Sequence, residues 1–418
     1  MDRINRRAAW LLLLSAVLAL VVLAAVLVPW DWTPGLALHP EQADQVFGPA
    51  ELQRAESHAA ALRWLSWSSY GVSLVLALVL GLTSLGARLV RRVAGRLRWW
   101  LAVPWATFLL LLVGRLVTLP LDLLVRQRNL HDGLTDQGLA GWFTDWALSL
   151  AVSWVLLAAL FLLVVGLARW SPRWWFAWAG GVLVVLTFLV SMVYPLLVEP
   201  LFNDFHSLPD GPLRTQVLQI AKKEGVAVDD VLVSDASRRT TTLNAYVSGI
   251  GSTRRIVLYD NLVHDVDREE VLAVVAHELG HARHHDVVLG TALGALGVVA
   301  GVAALALLLD TPWLRRRAGV TGPADPAAVA LIAALVALGG FVSGPAQNVV
   351  SRAIEARADL TGLEATHDPE AFRQVQRQLA IRSLADPTPP WFGYVWFATH
   401  PTVLQRLGIA DAVARADG

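Results

Sequence analysis

Seven long apolar runs divide the chain, and polar segments separate them. A helix that crosses a membrane needs about 20 predominantly apolar residues. The runs of about this length are Ala9–Trp30, Ser69–Leu89, Trp99–Leu121, Trp146–Leu167, Trp174–Leu197, Val287–Leu309 and Ala327–Val350. Many tryptophans lie at the ends of these runs, as expected where an indole ring sits among lipid headgroups. The pattern predicts a mainly α protein built on a bundle of seven transmembrane helices.

The first run could instead be a signal peptide, because Arg3, Arg6 and Arg7 precede it. Signal peptides carry an apolar stretch of about 7–15 residues, followed by a cleavage site of small residues. This run is longer, and it reaches Pro29 and Trp30 without a convincing cleavage site. We therefore expect it to be a retained span.

Two segments are too polar for a membrane interior, and the last two spans separate them. These segments are Phe202–Asp286 and Ser351–Gly418. We expect a membrane region of five spans at 1–203, the first half of an aqueous domain at 204–286, two further spans at 287–350, and the second half at 351–418.

The first polar segment predicts an α+β arrangement. Asp210–Glu224 is typical of a helix and Val231–Ser234 of a short strand, while Leu243–Ser248 and Arg255–Tyr259 flank a glycine-rich turn and predict a hairpin. Asp267 is followed three positions later by Glu270, the spacing of a capping pair at the start of a helix.

The amino-acid composition narrows the range of possible functions. Only 16% of residues are charged, against about a quarter in a typical soluble protein. The 34 basic and 34 acidic residues cancel, which argues against a nucleic-acid partner and leaves the lipid bilayer as the expected surroundings. The chain has no cysteine, which excludes disulfides, thiolate metal sites and a cysteine nucleophile.

The helix after Asp267 carries the sequence His277-Glu278-Leu279-Gly280-His281. Two histidines four positions apart share one face of a helix and can bind one Zn²⁺, while the adjacent glutamate can act on a water molecule. This motif predicts a zinc-dependent hydrolase.

A third ligand is expected where span seven returns to the side of His281. Two helices that rise equally from a turn near position 318 bring Glu355 level with His281. Asp359 lies one turn beyond Glu355 and could hold a ligand histidine through its other ring nitrogen. The alternative is that both carboxylates only solvate a helix that leaves the membrane.

The chain resembles the integral-membrane zinc metallopeptidases of the type-1 CAAX prenyl protease family, which are seven-span gluzincins. The matching residues are Pro200-Leu201-Phe202-Asn203, Leu208-Pro209-Asp210-Gly211, Asn244-Ala245-Tyr246, Arg255-Ile256-Val257-Leu258-Tyr259-Asp260, the His277–His281 motif, Ser351-Arg352 with Glu355 and Ala358-Asp359, and His400-Pro401 with Arg406. The resemblance implies a gluzincin-like α+β protease domain that is split around the last two spans.

The resemblance also implies the roles of individual residues. One Zn²⁺ per chain would be bound by His277, His281 and Glu355, with Glu278 as the general base. The strand with Asn244, Ala245 and Tyr246 would hold the peptide, and His400 and Arg406 would steady the reacting carbonyl. Eukaryotic members usually have Trp and His at the positions of Ala282 and Asp286, a difference that bears on prenylated substrates.

The residues His284, His285 and Asp286 follow the motif directly. Their spacing could support a second metal, but we expect interfacial residues where a helix enters the bilayer.

The expected function is therefore that of a membrane-embedded metalloendopeptidase, with peptides or membrane proteins as substrates. Its site should lie close to the bilayer if both ligand helices are continuous with spans. Membrane-associated, lipidated (including CAAX-type) or misfolded proteins would then be cleaved. The alternatives are a seven-span transporter or receptor, or an inactive protease-like scaffold with a structural metal site.

Arginines indicate which side of the membrane the protease residues face. They are concentrated at the N-terminus and after spans two, four and six, at Arg3, Arg6, Arg7, Arg88, Arg91, Arg92, Arg96, Arg98, Arg169, Arg173, Arg315, Arg316 and Arg317. The positive-inside rule places that side in the cytoplasm and the protease residues outside. Analogy with the eukaryotic family members favours the opposite side.

Overall fold

The computed structural model describes residues 4–249 and 254–417, and within them the chain is mostly helical. The α-helices are α1 (Arg6–Leu27), α2 (Ala43–Val46), α3 (Pro49–Leu82), α4 (Ser84–Ala94), α5 (Trp99–His131), α6 (Leu139–Trp170), α7 (Trp175–Leu197), α8 (Pro212–Lys223), α9 (Asp260–Asp265), α10 (Arg268–Arg283), α11 (Asp286–Leu309), α12 (Pro312–Ala318), α13 (Val329–Thr366), α14 (Pro369–Ser383), α15 (Trp391–Phe397) and α16 (Val403–Asp417). The strands are β1 (Phe205–Ser207), β2 (Asp230–Ser234), β3 (Ala245–Ser248) and β4 (Arg255–Tyr259).

Seven of these helices are long and apolar enough to cross a membrane, namely α1, α3, α5, α6, α7, α11 and α13. Each overlaps one of the seven predicted runs, and the predicted mainly α fold is confirmed. Four helices, α3, α5, α6 and α13, extend well beyond their apolar runs. The longest is α13, with 38 residues.

The predicted end of the second span is wrong. We expected it to reach Leu89, but α3 ends at Leu82 and Thr83 adopts an extended conformation with ψ 168°. The break follows a tight approach between helices, since a Cβ atom added to Gly81 would lie 2.3 Å from the Cβ of Ala334. The chain then starts the separate helix α4 at Ser84.

The four strands form one sheet in the order β1-β2-β4-β3. Strands β2 and β4 are parallel, and β3 pairs antiparallel with β4 in the predicted hairpin, with Ala245 opposite Leu258. The tip of that hairpin, residues 250–253, lies outside the described residues. Strand β3 is at the edge of the sheet. The short strand β1 and the parallel pairing were not predicted.

Helix α10 packs between the sheet and α13, and small residues allow a close approach. A Cβ atom added to Gly362 on α13 would lie 2.9 Å from the backbone nitrogen of His277 on α10. Leu279 on α10 is fully buried in the core beneath the sheet. The two polar segments of the sequence therefore fold against each other at the motif.

The start of α10 is correct, but the predicted capping pair does not form. Asp267 occupies the N-cap position without a side-chain hydrogen bond to the helix. Glu270 is buried and accepts a hydrogen bond from the side-chain amide of Gln378 on α14, at 2.8 Å. The Glu270 side chain, which would complete the capping pair, is therefore used in a tertiary contact with α14.

Helix α10 is not continuous with the sixth span, contrary to expectation. It ends at Arg283, and His285 adopts a left-handed conformation with φ 56° before α11 begins at Asp286. This break turns the chain back, so that Asp286 meets His281. Helix α13, in contrast, runs unbroken from the seventh span through Glu355.

Candidate active site

Three predicted metal ligands meet where α10 crosses α13. One donor atom each from His277, His281 and Glu355 lies within 4.8 Å of the other two. The imidazole rings of the two histidines are perpendicular, with centroids 4.8 Å apart, and both turn Nε2 toward Glu355. Helical spacing on α10 and the packing of α13 are enough to create this cluster.

The carboxylate of Glu355 lies between the two rings. Its Oε2 is 3.3 Å from Nε2 of His277, and its Oε1 is 3.6 Å from Nε2 of His281. Oε2 is shielded from solvent and has no hydrogen bond among the described residues. Two imidazole nitrogens and a carboxylate oxygen are a usual donor set for catalytic zinc, so these residues fit such an ion.

A carboxylate and a guanidinium support the Nδ1 side of the His277 ring. Its Nδ1 lies 2.8 Å from Oδ1 of Asp359, a side chain with no exposed area. Arg406 on α16 donates to both oxygens of Asp359, at 2.8 and 2.5 Å. The structure thus places Arg406 behind His277, whereas the resemblance implied a position beside the reacting carbonyl.

His281 has a matching support that sequence reasoning missed. Its Nδ1 donates to Oδ2 of Asp286 at 2.9 Å, and Arg357 on α13 donates to the other oxygen of Asp286. Asp286 is buried, and its contact with His281 was not part of the expectation of interfacial residues. The signal available in the sequence was an acidic residue five positions after the second histidine, but only the turn at His285 brings it back.

The surrounding carboxylates outweigh burial in setting the charge of the histidines. Burial lowers the pKa of His281, but the hydrogen bond to Asp286 and the negative charge of Glu355 raise it to about 10. Burial also opposes protonation of His277, yet the hydrogen bond to Asp359 raises its pKa. The surroundings of both rings therefore favour a positive charge at this position.

Glu278 lies on the same side of α10 as the ligands. A carboxylate oxygen of Glu278 is 4.0 Å from Nε2 of His277. Burial raises the pKa of Glu278, although the neighbouring histidines oppose this shift. Glu278 is thus beside the cluster without belonging to the three-residue donor set.

His400 reaches the cluster from the segment between α15 and α16. Its Nε2 lies 3.2 Å from Oε2 of Glu355, while its Nδ1 is 2.9 Å from the hydroxyl of Thr399. The His400 side chain is 56% exposed, so it lies on the solvent side of the cluster.

The three residues of the predicted substrate strand lie at and beside the edge of the sheet. Asn244 is exposed, Ala245 is buried, and the Tyr246 hydroxyl donates to Glu199 at 2.9 Å. Tyr259 on β4 donates its backbone N–H to the Asn244 carbonyl at 3.0 Å. Because hydrogen-bonded pairs alternate along an antiparallel ladder, the backbone groups of Ala245 and Val247 point to the free edge.

The other histidines of the motif region do not complete a second metal site among the described residues. The Nε2 of His284 is 3.0 Å from the hydroxyl of Thr361, and His285 is exposed. Within the described part of the chain, His277, His281 and Glu355 are the one cluster that meets the geometric test for a metal.

Two family models match successive parts of the chain. The model of peptidase family M48 matches residues 207–414. The model of the CAAX prenyl protease N-terminal region, with five membrane helices, matches residues 35–204. The chain belongs to peptidase family M48, and it is a membrane metalloprotease.

Individual relatives agree with this assignment. The metalloprotease YhfN of Bacillus subtilis is 29% identical over 87% of this chain and 86% of the relative. The CAAX prenyl protease 1 homolog of Dictyostelium discoideum is 33% identical, but the match spans only 60% of this chain and 58% of the relative. These matches do not favour a transporter or receptor.

A solved structure has the same fold. The crystal structure of S. mikatae Ste24p superposes with a TM-score of 0.76 and covers 96% of this chain and 99% of the other, at 18% identity. The agreement extends over the membrane helices and the aqueous part together.

Proposed function

We propose that His277, His281 and Glu355 bind one zinc ion per chain and that this site cleaves peptide bonds in membrane-associated proteins. The convergence of three donor atoms within 4.8 Å on α10 and α13 carries the proposal. Three protein ligands are the number found in catalytic zinc sites, where a fourth position stays available to water or substrate.

Different side chains carry out different steps of peptide hydrolysis. Zinc, when bound, supplies Lewis-acid chemistry that polarises a carbonyl and activates water. Glu278 takes the proton from the attacking water and passes it to the leaving amine, as a general base and then a general acid. Nε2 of His400 donates to the oxyanion that develops on the scissile carbonyl.

The other polar residues act through the ligands. Asp359 with Arg406, and Asp286 with Arg357, fix the ring orientation of His277 and His281 so that Nε2 of each ring faces Glu355, where a zinc ion would be held. Arg406 thus supports the metal site through Asp359 and His277.

Strand β3 is the proposed binding site for the substrate backbone. Its outer edge has no neighbouring strand in the described sheet, and the register turns the backbone groups of Ala245 and Val247 outward. An extended peptide can add there as a further strand, a mode that tolerates many sequences. The exposed side chain of Asn244 lies at the same edge, where its amide can bind the peptide.

The substrate class follows from the position of the site. Glu355 lies on a helix that is continuous with the seventh span, so the site is within a few turns of the bilayer. Substrates anchored in the membrane by a lipid or an apolar segment are delivered to that position. Several relatives are named CAAX prenyl proteases, and prenylated CAAX tails are lipid-anchored substrates of this class. Eukaryotic members, however, usually have His at the position of Asp286.

The test is cleavage by the wild-type protein in liposomes. The substrate is a reporter peptide with a membrane anchor, and the matched control is the same peptide without the anchor. We expect cleavage that stops on chelation and returns with about one zinc per chain, and a higher kcat/KM for the anchored peptide. Cleavage by metal-free protein would refute the zinc site, and equal kcat/KM values would refute the membrane substrate class.

A further inference from the structure

Arg352 is a buried cation whose function is not explained by the metal cluster. It lies on α13, two residues beyond the predicted seventh span and three before Glu355, and only 5% of it is exposed. Ionisable side chains close to a bilayer interior are costly and usually functional. Among the ion pairs of the described residues, none includes Arg352, so something other than a carboxylate balances its charge.

Backbone carbonyls in α15 and just after it balance the charge of Arg352. Nη1 of Arg352 donates to the carbonyl of Tyr394 at 3.0 Å and to the carbonyl of Ala398 at 2.7 Å. The guanidinium carbon is also 4.3 Å from the centre of the Tyr394 ring. The last carbonyls of a helix lack partners within it and carry partial negative charge, which a cation satisfies.

Helix α15 needs such an anchor. It has only seven residues, none of them buried, and its first residue, Trp391, is 72% exposed. A helix this short is not stable by itself. Its rings stack on partly exposed aromatic side chains of the spans, and Asn348 on α13 donates to the Val395 carbonyl at 3.2 Å. Helix α13 thus binds three carbonyls near the end of α15.

The residue placed by this anchor is His400. It lies two residues after Ala398, the second carbonyl bound by Arg352, and its own ring makes the 3.2 Å contact with Glu355. Arg352 and Glu355 are on the same face of one helix, three positions apart. The helix that supplies a metal ligand therefore also fixes the segment that brings His400 to it.

We propose that Arg352 is a positioning residue that holds the Tyr394–Ala398 backbone so that His400 reaches the scissile carbonyl. The inference rests on the proposed zinc peptidase, in which His400 acts on the carbonyl. It predicts that the two residues are energetically coupled, because Arg352 acts only through the position of His400.

The experiment is a double-mutant cycle in liposomes with the anchored reporter peptide. We expect Arg352→Met to keep zinc and KM but to lower kcat, up to about 10²-fold, as a displacement of about 1 Å can do. In the His400→Ala background, Arg352→Met should change kcat by less than about 3-fold. Equal losses in both backgrounds, or loss of zinc with Arg352→Met, would overturn the proposal.

Milder variants keep the test decisive if Arg352→Met does not fold. Arg352→Lys retains the charge and should recover part of kcat. Asn348→Ala removes one anchor but leaves Arg352 in place. Gln347→Ala is its control, since Gln347 is exposed one position away and its side-chain amide donates to Ser343. We expect Asn348→Ala to lower kcat, whereas Gln347→Ala should not. In the His400→Ala background, Asn348→Ala should no longer lower kcat. Identical kcat values for Asn348→Ala and Gln347→Ala would contradict the proposal.

A readout independent of turnover is hydrogen exchange. Backbone amides of residues 391–399 should exchange faster in Arg352→Lys and Asn348→Ala than in the wild type and in Gln347→Ala. Unchanged exchange there would show that α15 is held without Arg352. If the wild-type protein cleaves no peptide at all, the proposed function fails, whereas this exchange experiment still reports on Arg352 alone.

Discussion

The Nδ1 atom of His281 lies 2.9 Å from the carboxylate of Asp286, although a helix break separates the two residues. Asp286 is bound in turn by Arg357. The same arrangement of histidine, carboxylate and guanidinium recurs at His277, where Asp359 is bound by Arg406. Each histidine of the cluster is therefore oriented by its own buried ion pair.

We expect Asp286→Ala to weaken zinc binding about 10–100-fold, as the loss of a support behind a ligand histidine does. Asp286→Asn should cost less, because its amide oxygen still accepts from Nδ1 of His281. Zinc affinity is measured by competition with a chelator. Asp310→Asn is the control, since Asp310 is a buried aspartate paired with Arg6 far from the site. Wild-type affinity in Asp286→Ala would show that this contact has no effect on the metal.

Glu355→Gln should remove most of the bound zinc while keeping the side-chain volume. The neutral amide is a poor ligand, and the two histidines alone leave the site with too few donors. Metal content of the purified protein is the measurement. Glu364→Gln on the exposed side of the same helix should retain about one zinc per chain. Full occupancy in Glu355→Gln would mean that another residue is the third ligand.

Val247→Pro tests the substrate strand. The register turns the N–H of Val247 toward the free edge, so proline removes a donor to substrate without breaking the β3–β4 ladder. We expect a higher KM for the reporter peptide with zinc content unchanged. Tyr246→Pro is the comparison, because the N–H of Tyr246 belongs to the β3–β4 ladder. This variant should instead lower the stability of the hairpin. An unchanged KM for Val247→Pro would argue that the peptide binds elsewhere.

The distribution of arginine predicts which side of the membrane the site faces. A tag between Gly95 and Arg98, after α4, should be protected in intact cells, and a tag at the C-terminus should be accessible from outside. Accessibility to a membrane-impermeant label is the measurement. The reverse pattern would show that the topology suggested by the eukaryotic relatives applies here.

The sequence was sufficient for elements that depend on local patterns. Apolar runs located the seven spans, and helical spacing placed His277 and His281 on one face, with Glu355 found by counting residues across the turn. Features that depend on tertiary contacts were missed. The break at Thr83 comes two residues after Gly81, which packs closely on α13, and the left-handed His285 makes Asp286 a partner of His281. The boundaries of the four expected regions stay a prediction.

The most direct test of the account is Glu278→Gln in protein shown to hold its full zinc. The substitution keeps the volume and the helix but removes the proton acceptor, so metal content and folding should match the wild type. Cleavage of the membrane-anchored peptide should fall at least about 10²–10⁴-fold, the usual contribution of a general base. Cleavage at the wild-type rate by fully zinc-loaded Glu278→Gln protein would contradict the assignment of this site as a zinc peptidase that uses Glu278.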